Sequence, residues 1–265
     1  MASLEFEKFE GLGNDFLVVR LEDEASFDPA WVPRLCDRRL GVGADGVLLV
    51  LPSREHAARM RVRNADGGVP EMCGNGLRCV ALFEAERRGM EKGELSIETD
   101  AGVRACVFER AGDQGEVDVD MGVVRVQGTT MLTVAGTTLE LTLANAGNPH
   151  AIAYRQEPAG DLLAFGPVLT VHPSFPDGVN VELVRWKDDA IEVSVWERGV
   201  GRTLACGTGA CAVAAVACAR GEAKSGAAVR VRLPGGELVV THDTTTGQTR
   251  MKGPARRVFR GTISR

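Results

Sequence analysis

The chain has 265 residues, of which 44% are hydrophobic and 25% charged, a composition typical of a globular protein with one large domain or two ordinary ones. Its net charge of −5 argues against nucleic acid or an anionic membrane as the main partner, because both repel an acidic chain. The charged N-terminus has no signal-peptide core, and no apolar run approaches the roughly 18–20 residues that span a bilayer. We therefore expect a cytoplasmic protein.

The first half of the chain leads to a cysteine at the start of a predicted helix. GLGNDFLVV (11–19) and the apolar DGVLLV (45–50) come first, and the alternating strand RMRVRN (59–64) follows. The motif MCGNG (72–76) then opens GLRCVALFEAERRG, whose spacing predicts a helix. Because this helix begins apolar and ends charged, its far end should reach solvent.

The second half repeats this order. NAGNPHAIA (145–153), DGVNVE (177–182) and the strand EVSVWE (192–197) precede the motif ACGTG (205–209). The helix predicted after it, GACAVAAVACARG, is apolar on almost every face and should be surrounded by other structure.

The landmarks of the two halves recur at nearly constant offsets. Cys206 lies 133 residues after Cys73, and the flanking landmarks are offset by 132 to 134 residues. We interpret this as two copies of one fold. The predicted class is α+β, with two pseudo-symmetric domains, each a curved, mostly antiparallel or mixed sheet wrapped around a buried central helix. The predicted domains are residues 1–122, joined by the C-terminal strand 254–265, and residues 123–253.

The seven cysteines do not suggest a disulfide framework, because their number is odd and the compartment is reducing. Spacings of Cys-x5-Cys at 73–79 and Cys-x4-Cys at 206–211 do not fit zinc, so no metal is expected. Four of the cysteines are interpreted as small buried apolar residues: Cys36, Cys106, Cys211 and Cys218.

A cysteine at a helix N-terminus lies near roughly half a positive charge, which lowers the thiol pKa from about 8.5 and favours the thiolate. The glycines that follow let the backbone approach an anion closely. Two such thiols facing each other across one cleft would suit inversion of a stereocentre, with a base on one face and an acid on the other. This chemistry requires no cofactor, and none is expected.

These residues resemble the diaminopimelate epimerase family, within the wider group of cofactor-independent two-thiol racemases and epimerases. The resemblance runs from about Phe6 to Gly261 and is carried by GLGNDF, NADG with MCGNG, GNPH, ERGVGRTLACGTGACA and LPGG. It implies interconversion of LL- and meso-diaminopimelate, for lysine and peptidoglycan synthesis. It also implies a site between two domains and a homodimer.

The resemblance also implies roles for individual residues. Cys73 and Cys206 match the catalytic pair, and His150 and Glu197 match a pair that tunes the thiols. The positions that match substrate-binding residues are Asn14, Asn64, Gly74, Asn75, Asn148, Asn180, Glu197, Arg198, Gly207 and Thr208. Among these, Gly74-Asn75 and Gly207-Thr208 match the backbone cradle of the reacting carboxylate.

The chain departs from the family pattern at three positions. Glu10 stands where many members have histidine, and Gly46 stands where some have glutamine. Arg202 replaces a frequent glutamate close to the second cysteine, where it could alter the thiol pKa.

Three alternatives remain open at this stage. Proline or hydroxyproline racemases usually carry histidine in place of Asn75 and lack the Glu-Arg-Gly stretch at 197–199. Dinucleotide binding is suggested by GVGADG (41–46) and GTGACA (207–212), but the first precedes a strand and the second does not closely follow one. A two-domain amino-acid-binding protein without catalysis would tolerate Cys73→Ser with unchanged function.

Overall fold

The computed structural model describes residues 3–70 and 72–264, which form two compact units. The described residues up to Asp120, with those from Gly253 onward, form unit 1, and Met121–Lys252 form unit 2. None of the helices in these residues is long and apolar enough to cross a membrane.

Unit 1 is a sheet that closes on itself around a helix. Its strand order is β1-β2-β3-β4-β5-β6-β7-β16, and β1 also pairs with β16. The central helix is α2, and a short helix, α1, lies outside the sheet. The bounds are β1 Ser3–Gly11, β2 Asn14–Arg20, α1 Trp31–Cys36, β3 Gly46–Leu51, β4 Ala58–Asn64, α2 Gly74–Arg87, β5 Lys92–Thr99, β6 Gly102–Ala111, β7 Gln114–Val123 and β16 Gln248–Ser264.

Unit 2 has the strand order β16-β15-β14-β12-β11-β10-β9-β8, with β13 paired to β12. Its central helix is α4, and α3 packs outside the sheet. The bounds are β8 Arg125–Val134, β9 Thr137–Asn145, β10 Pro149–Tyr154, α3 Pro158–Leu169, β11 Asn180–Lys187, β12 Ala190–Glu197, β13 Gly201–Arg202, α4 Gly207–Ala219, β14 Ala228–Leu233 and β15 Gly236–His242.

Parallel and antiparallel strand pairs follow one another in the same order in both units. In unit 1, β2–β3 and β4–β5 are parallel, whereas β1–β2, β3–β4 and β5–β6 are antiparallel. In unit 2, β10–β11 and β12–β14 are parallel, whereas β9–β10, β11–β12 and β14–β15 are antiparallel. The predicted fold class, a duplicated mixed sheet around a buried helix, is confirmed.

Both faces of the middle strands are buried, which explains their continuous apolar runs. All six residues of β3 are buried, because the inner face meets α2 and the outer face meets α1. The first five residues of β11 are buried in the same way between α4 and α3. The sheets therefore hold the N-termini of their central helices in fixed positions.

The two central helices begin and end with the same devices. Each begins after a cysteine in extended conformation, Cys73 or Cys206, whose sulfur accepts a hydrogen bond from the third helical residue. Each ends just before a glycine with positive φ, +68° at Gly89 and +74° at Gly221, a conformation that stops a helix at little cost. Apart from Thr208, every residue of α4 up to Cys218 is buried, whereas α2 becomes exposed at Arg87, as its charged end predicted.

Candidate active site

The half-site of unit 1 is built around the N-terminus of α2. Cys73 has φ −138° and ψ 109°, and its Sγ accepts a hydrogen bond from the Gly76 N–H at 3.3 Å. Gly74 and Asn75, the first two helical residues, are buried. The Asn75 side chain donates from Nδ2 to Asn14 Oδ1 at 3.0 Å. The structure thus brings Cys73, its glycine and two asparagines together.

Asp45 orients Asn14 and was not found by sequence reasoning. Its Oδ2 accepts hydrogen bonds from Asn14 Nδ2 at 2.7 Å and from the Asp15 N–H at 3.1 Å. Arg38 Nη2 lies 2.7 Å from the other oxygen of Asp45. The Asn14 amide is therefore held by an anchored carboxylate, which leaves its Oδ1 turned to Asn75. The sequence signal was the aspartate in DGVLLV, which is shared with DGVNVE.

Asn64 is the last residue of β4 and pairs with Gly46 of β3. Its N–H donates to Gly68 O at 2.8 Å, and the N–H of the next residue, Ala65, donates to Asp45 O at 3.0 Å. Asn64 is therefore attached to the same loop that orients Asn14.

The half-site of unit 2 repeats this construction around α4. Cys206 has φ −126° and ψ 111°, and its Sγ accepts a hydrogen bond from the Gly209 N–H at 3.4 Å. The Thr208 hydroxyl lies 3.5 Å from the same sulfur, and Gly207 is buried at the first helical position. Cys206 is only 3% exposed. The two cysteines thus have nearly the same backbone conformation and make the same cap.

The electrostatics of Cys206 differ from the expectation for a helix N-terminus. Burial, and then the negative charges of Glu197 and Glu182, raise the pKa of the Cys206 thiol well above its ordinary value. The hydrogen bonds from Thr208 and Gly209 act in the opposite direction and are outweighed. The prediction of a lowered pKa is wrong for this thiol. Arg202 is exposed and is not among the main causes of the shift.

Glu197, at the end of β12, is a largely buried carboxyl next to this thiol. It accepts a hydrogen bond from the Thr203 hydroxyl at 2.5 Å and one from Cys206. Burial raises its pKa above the ordinary value of 4.5, and these two hydrogen bonds only partly offset the effect. Glu197 is therefore suited to exchange a proton with Cys206.

The raised pKa of Glu197 predicts a stability effect. The pKa of Glu197 is higher in the folded state than in the unfolded state. Glu197 therefore destabilises the fold increasingly as the pH rises from its ordinary pKa of about 4.5 through its raised pKa. Glu197→Gln should therefore raise the melting temperature at pH 8 but have little effect at pH 4. A gain of ~1 kcal/mol corresponds to about 2–4 °C in a protein of this size.

Thermal unfolding followed by circular dichroism at both pH values gives the comparison. Thr203→Val is the matched control, because it removes the hydroxyl that bonds Glu197 and keeps the buried charge. It should lower the melting temperature at pH 8. A Glu197→Gln variant that melts below the wild type at pH 8 would contradict the prediction.

His150 and Asn148 form a second contact group in unit 2. His150 Nε2 lies 2.8 Å from Asn148 Oδ1, and His150 Nδ1 lies 2.7 Å from Glu182 Oε1. His150 is 1% exposed and Glu182 is fully buried. Sequence reasoning missed Glu182, although it is the lone acidic residue in NVELV (180–184), where three of the other four residues are apolar.

Asn180 and Arg198 lie at one edge of the second half-site. Asn180 donates from Nδ2 to Pro149 O at 3.0 Å and accepts the Arg198 N–H at 2.9 Å. The guanidinium of Arg198 donates to Asp177 O at 2.7 Å. Arg198 is exposed and lines a cleft of about 420 Å³ with Gly199 and most of the loop 170–178. The backbone of Arg198 is thus fixed, while its charge faces open space.

Solved structures with low sequence identity share this fold. A hydroxyproline epimerase from Agrobacterium vitis, with bound trans-4-hydroxy-L-proline, has a TM-score of 0.76 at 18% identity, covering 98% of this chain and 92% of that one. A predicted epimerase from Pseudomonas aeruginosa has a TM-score of 0.78 at 17% identity and 99% coverage of both chains. The class of protein is therefore that of the two-unit α+β fold that these structures share.

Sequence comparison then narrows the class. The diaminopimelate epimerase family model matches residues 6–127 and 142–258. A diaminopimelate epimerase from Desulforudis audaxviator is 44% identical over 277 aligned residues, covering 97% of this chain and 98% of that protein. One from Synechococcus is 41% identical over 286 residues, with 98% coverage of both. The chain belongs to the diaminopimelate epimerase family and is an isomerase, as the sequence motifs indicated.

Proposed function

We propose that this protein interconverts LL- and meso-diaminopimelate by moving the α-proton of one amino-acid end with two thiols, Cys73 and Cys206. The reaction serves lysine biosynthesis and supplies a peptidoglycan precursor. The observation that carries the proposal is the repeated helix cap, in which each sulfur accepts the N–H of the third helical residue, at 3.3 Å for Cys73 and 3.4 Å for Cys206. Family membership supplies the substrate.

The proposed chemistry is a proton transfer on each face of one carbon. One sulfur, as thiolate, removes the α-proton, and the other, as thiol, gives a proton to the opposite face. The configuration inverts, and the protonation states of Cys73 and Cys206 are exchanged. Because both groups are thiols, the same steps run in reverse, which an equilibrium between two stereoisomers requires.

The helix N-termini supply the stabilisation that the carbanion needs. We assign the backbone N–H groups at Gly74-Asn75 and Gly207-Thr208 to the carboxylate of the reacting centre, because the positive end of a helix dipole favours negative charge. Negative charge that builds up on this carboxylate during proton removal meets the same donors. One such donor contributes about 10²–10³ in kcat in other enzymes. This chemistry needs no cofactor, and we propose that none is used.

The remaining residues are assigned to the other polar groups of the substrate. Arg198, exposed in its cleft, suits the distal carboxylate through charge-assisted hydrogen bonds. Glu197 suits an ammonium group and the exchange of a proton with Cys206, and His150 tunes the thiols. The four asparagines that bind by amide hydrogen bonds are Asn14, Asn64, Asn148 and Asn180.

Two further parts of the proposal concern the protein as a whole. We expect the protein to act in the cytoplasm, where its substrate is made and its thiols stay reduced. We also expect a homodimer, as the family resemblance implies. Size-exclusion chromatography with light scattering would give the mass of the assembly in solution.

Proline or hydroxyproline racemisation is the weaker alternative. The likeness to a hydroxyproline epimerase is one of fold, at 18% identity. A small ring has no second amino-acid end, so it would leave the charge of Arg198 without a partner. Neither L-proline nor trans-4-hydroxy-L-proline should be converted.

Proton exchange at the α-carbon tests the proposal. Incubation of LL-diaminopimelate with the protein in heavy water, with no added cofactor, should give meso product that carries deuterium at the inverted carbon. Mass spectrometry and chiral chromatography report the label and the stereochemistry. Unlabelled meso product, or no conversion without an added cofactor, would overturn the proposal.

A further inference from the structure

The strand registers of the two units identify equivalent positions. Phe16 opens the parallel register of β2 with β3, and His150 opens that of β10 with β11. Two positions further along the second strand of each pair lie Leu48 and Glu182. An apolar pair in unit 1 therefore corresponds to an ionisable pair in unit 2.

Both second-strand residues lie against the first turn of the central helix. A Cβ atom added to Gly76 would lie 3.0 Å from Leu48 Cδ2, and one added to Gly209 would lie 2.6 Å from Glu182 Oε1. The same added atom on Gly209 would lie 3.3 Å from the Cys206 sulfur. Since unit 1 builds this position from leucine, the fold does not require a carboxylate there.

The carboxylate of Glu182 is costly to bury and only partly satisfied. Its side chain is fully buried, and among the residues that the structure describes its Oε2 has no hydrogen-bond partner. Its Oε1 lies 2.7 Å from His150 Nδ1. A buried charge that the fold does not need, beside a functional group, indicates a role in function.

The contacts of His150 fix the orientation of its ring. The ring nitrogen Nε2 lies 2.8 Å from the side-chain oxygen of Asn148, and the ring nitrogen Nδ1 lies 2.7 Å from Glu182 Oε1. Because a polar group holds each ring nitrogen, Asn148 and Glu182 together orient the imidazole.

The groups that act on the Cys206 thiol come from three strands. They are Glu197 of β12 and Glu182 of β11, with His150 of β10 bonded to the latter. The other strands that contact α4 carry charges that are exposed or partly exposed, namely Arg125, Glu140, Arg230, Arg232 and Glu237. His242 of β15 is buried and bonded to Thr249.

We propose that Glu182 is a positioning residue that, by its charge and through His150, keeps Cys206 protonated at rest, so that Cys206 is the resting acid and Cys73 the resting base. The assignment rests on the proposed function. It makes the two thiols unequal, although their backbone caps are the same. One thiol and one thiolate must coexist for a two-base reaction to begin.

A thiolate titration tests the effect on Cys206 without substrate. Ultraviolet absorbance is followed against pH in a Cys73→Ser background, and the Cys73→Ser/Cys206→Ser curve is subtracted to isolate Cys206. Glu182→Gln is then added to both cysteine variants. The midpoint of the Cys206 titration should fall by about 1–3 pH units, as expected for removing a nearby like charge. An unchanged midpoint in a folded variant would overturn the proposal.

A double substitution protects the test against misfolding. His150→Phe with Glu182→Leu introduces the residues that unit 1 buries at the equivalent register positions, Phe16 and Leu48. In the same Cys73→Ser background, its Cys206 midpoint should fall at least as far as with Glu182→Gln. A midpoint equal to that of the parent would show that the charged pair does not act on the thiol.

The pH profile of kcat/KM separates positioning from structural support. In the enzyme that keeps both Cys73 and Cys206, Glu182→Gln should move the alkaline limb of this profile to lower pH and leave the acidic limb in place. The conservative variant Glu182→Asp should restore the alkaline limb towards its wild-type position. A uniform loss of activity with both limbs unmoved would mean that Glu182 is only structural. Failure of the wild type to epimerise would reject the proposed function but leave the titration result standing.

Discussion

Cys73→Ala or Cys206→Ala is expected to abolish epimerisation while leaving the protein folded. Each substitution removes the only group assigned to proton transfer on one face of the substrate carbon. The structural cost is the sulfur cap of one helix, and losing a side-chain cap costs about 0.5–2 kcal/mol. This is less than the roughly 5–15 kcal/mol by which folded proteins are stable. Chiral chromatography of the product and circular dichroism of the variant provide the two measurements.

Serine at the same positions is the matched control for the cap. Cys73→Ser and Cys206→Ser retain an acceptor for the N–H groups of Gly76 and Gly209, but an alcohol is a far weaker acid than a thiol. We expect kcat/KM to fall by about 10²–10⁴-fold, the usual contribution of a positioned acid or base. Measurable turnover in either alanine variant would refute the two-thiol mechanism.

Gly209→Ala is expected to be much more damaging than Gly76→Ala, although the two glycines hold equivalent helix positions. Alanine favours a helix by about 1 kcal/mol over glycine, whereas overpacking a core costs about 1–3 kcal/mol. At Gly209 the new methyl would meet Glu182 Oε1 at 2.6 Å, and this carboxylate is fully buried and bonded to His150. At Gly76 it would meet a Leu48 methyl group at 3.0 Å, a milder overlap that a shift of a few tenths of an ångström relieves.

The expected result is a lower melting temperature for Gly209→Ala and a kcat reduced by about 10²-fold, since a shift of about 1 Å in a reacting group has that effect. Gly76→Ala should lose at least tenfold less activity and melt near the wild type, because its helix gain and its clash are of similar size. Thermal unfolding and steady-state kinetics on both variants give the comparison. Equal losses in both would contradict the assigned difference between the two half-sites.

The repeat and the central helices were predictable from local pattern. The spacing of apolar residues after Cys73 and Cys206 follows helix periodicity, which predicts a helix after each cysteine. The glycines that end both helices are visible in the sequence itself. The fold class followed because alternating strands flank each cysteine motif. The family followed from the same short motifs, and matches over nearly the whole chain confirmed it.

The pKa of Cys206 was not predictable in this way. From the sequence, a cysteine before two glycines has the helix dipole as its main influence, so a lowered pKa was expected. In the structure the thiol is 3% exposed and lies near Glu197 and Glu182, which outweigh the helix. Asp45 was missed for the same reason, since its contact with Asn14 joins residues 31 positions apart.

The sequence by itself determined the duplication, the two helix caps with their cysteines, and the family, because each is written in short stretches whose meaning is local. Only the tertiary structure decided which charges surround each thiol. Parallel pairing brings Glu182 beside His150, 32 residues earlier in the chain, and under the first turn of α4. Leu48 takes that place in unit 1. Electrostatic energies depend on distance and burial in space, so two nearly identical motifs acquire different chemistry from the strands that pack against them.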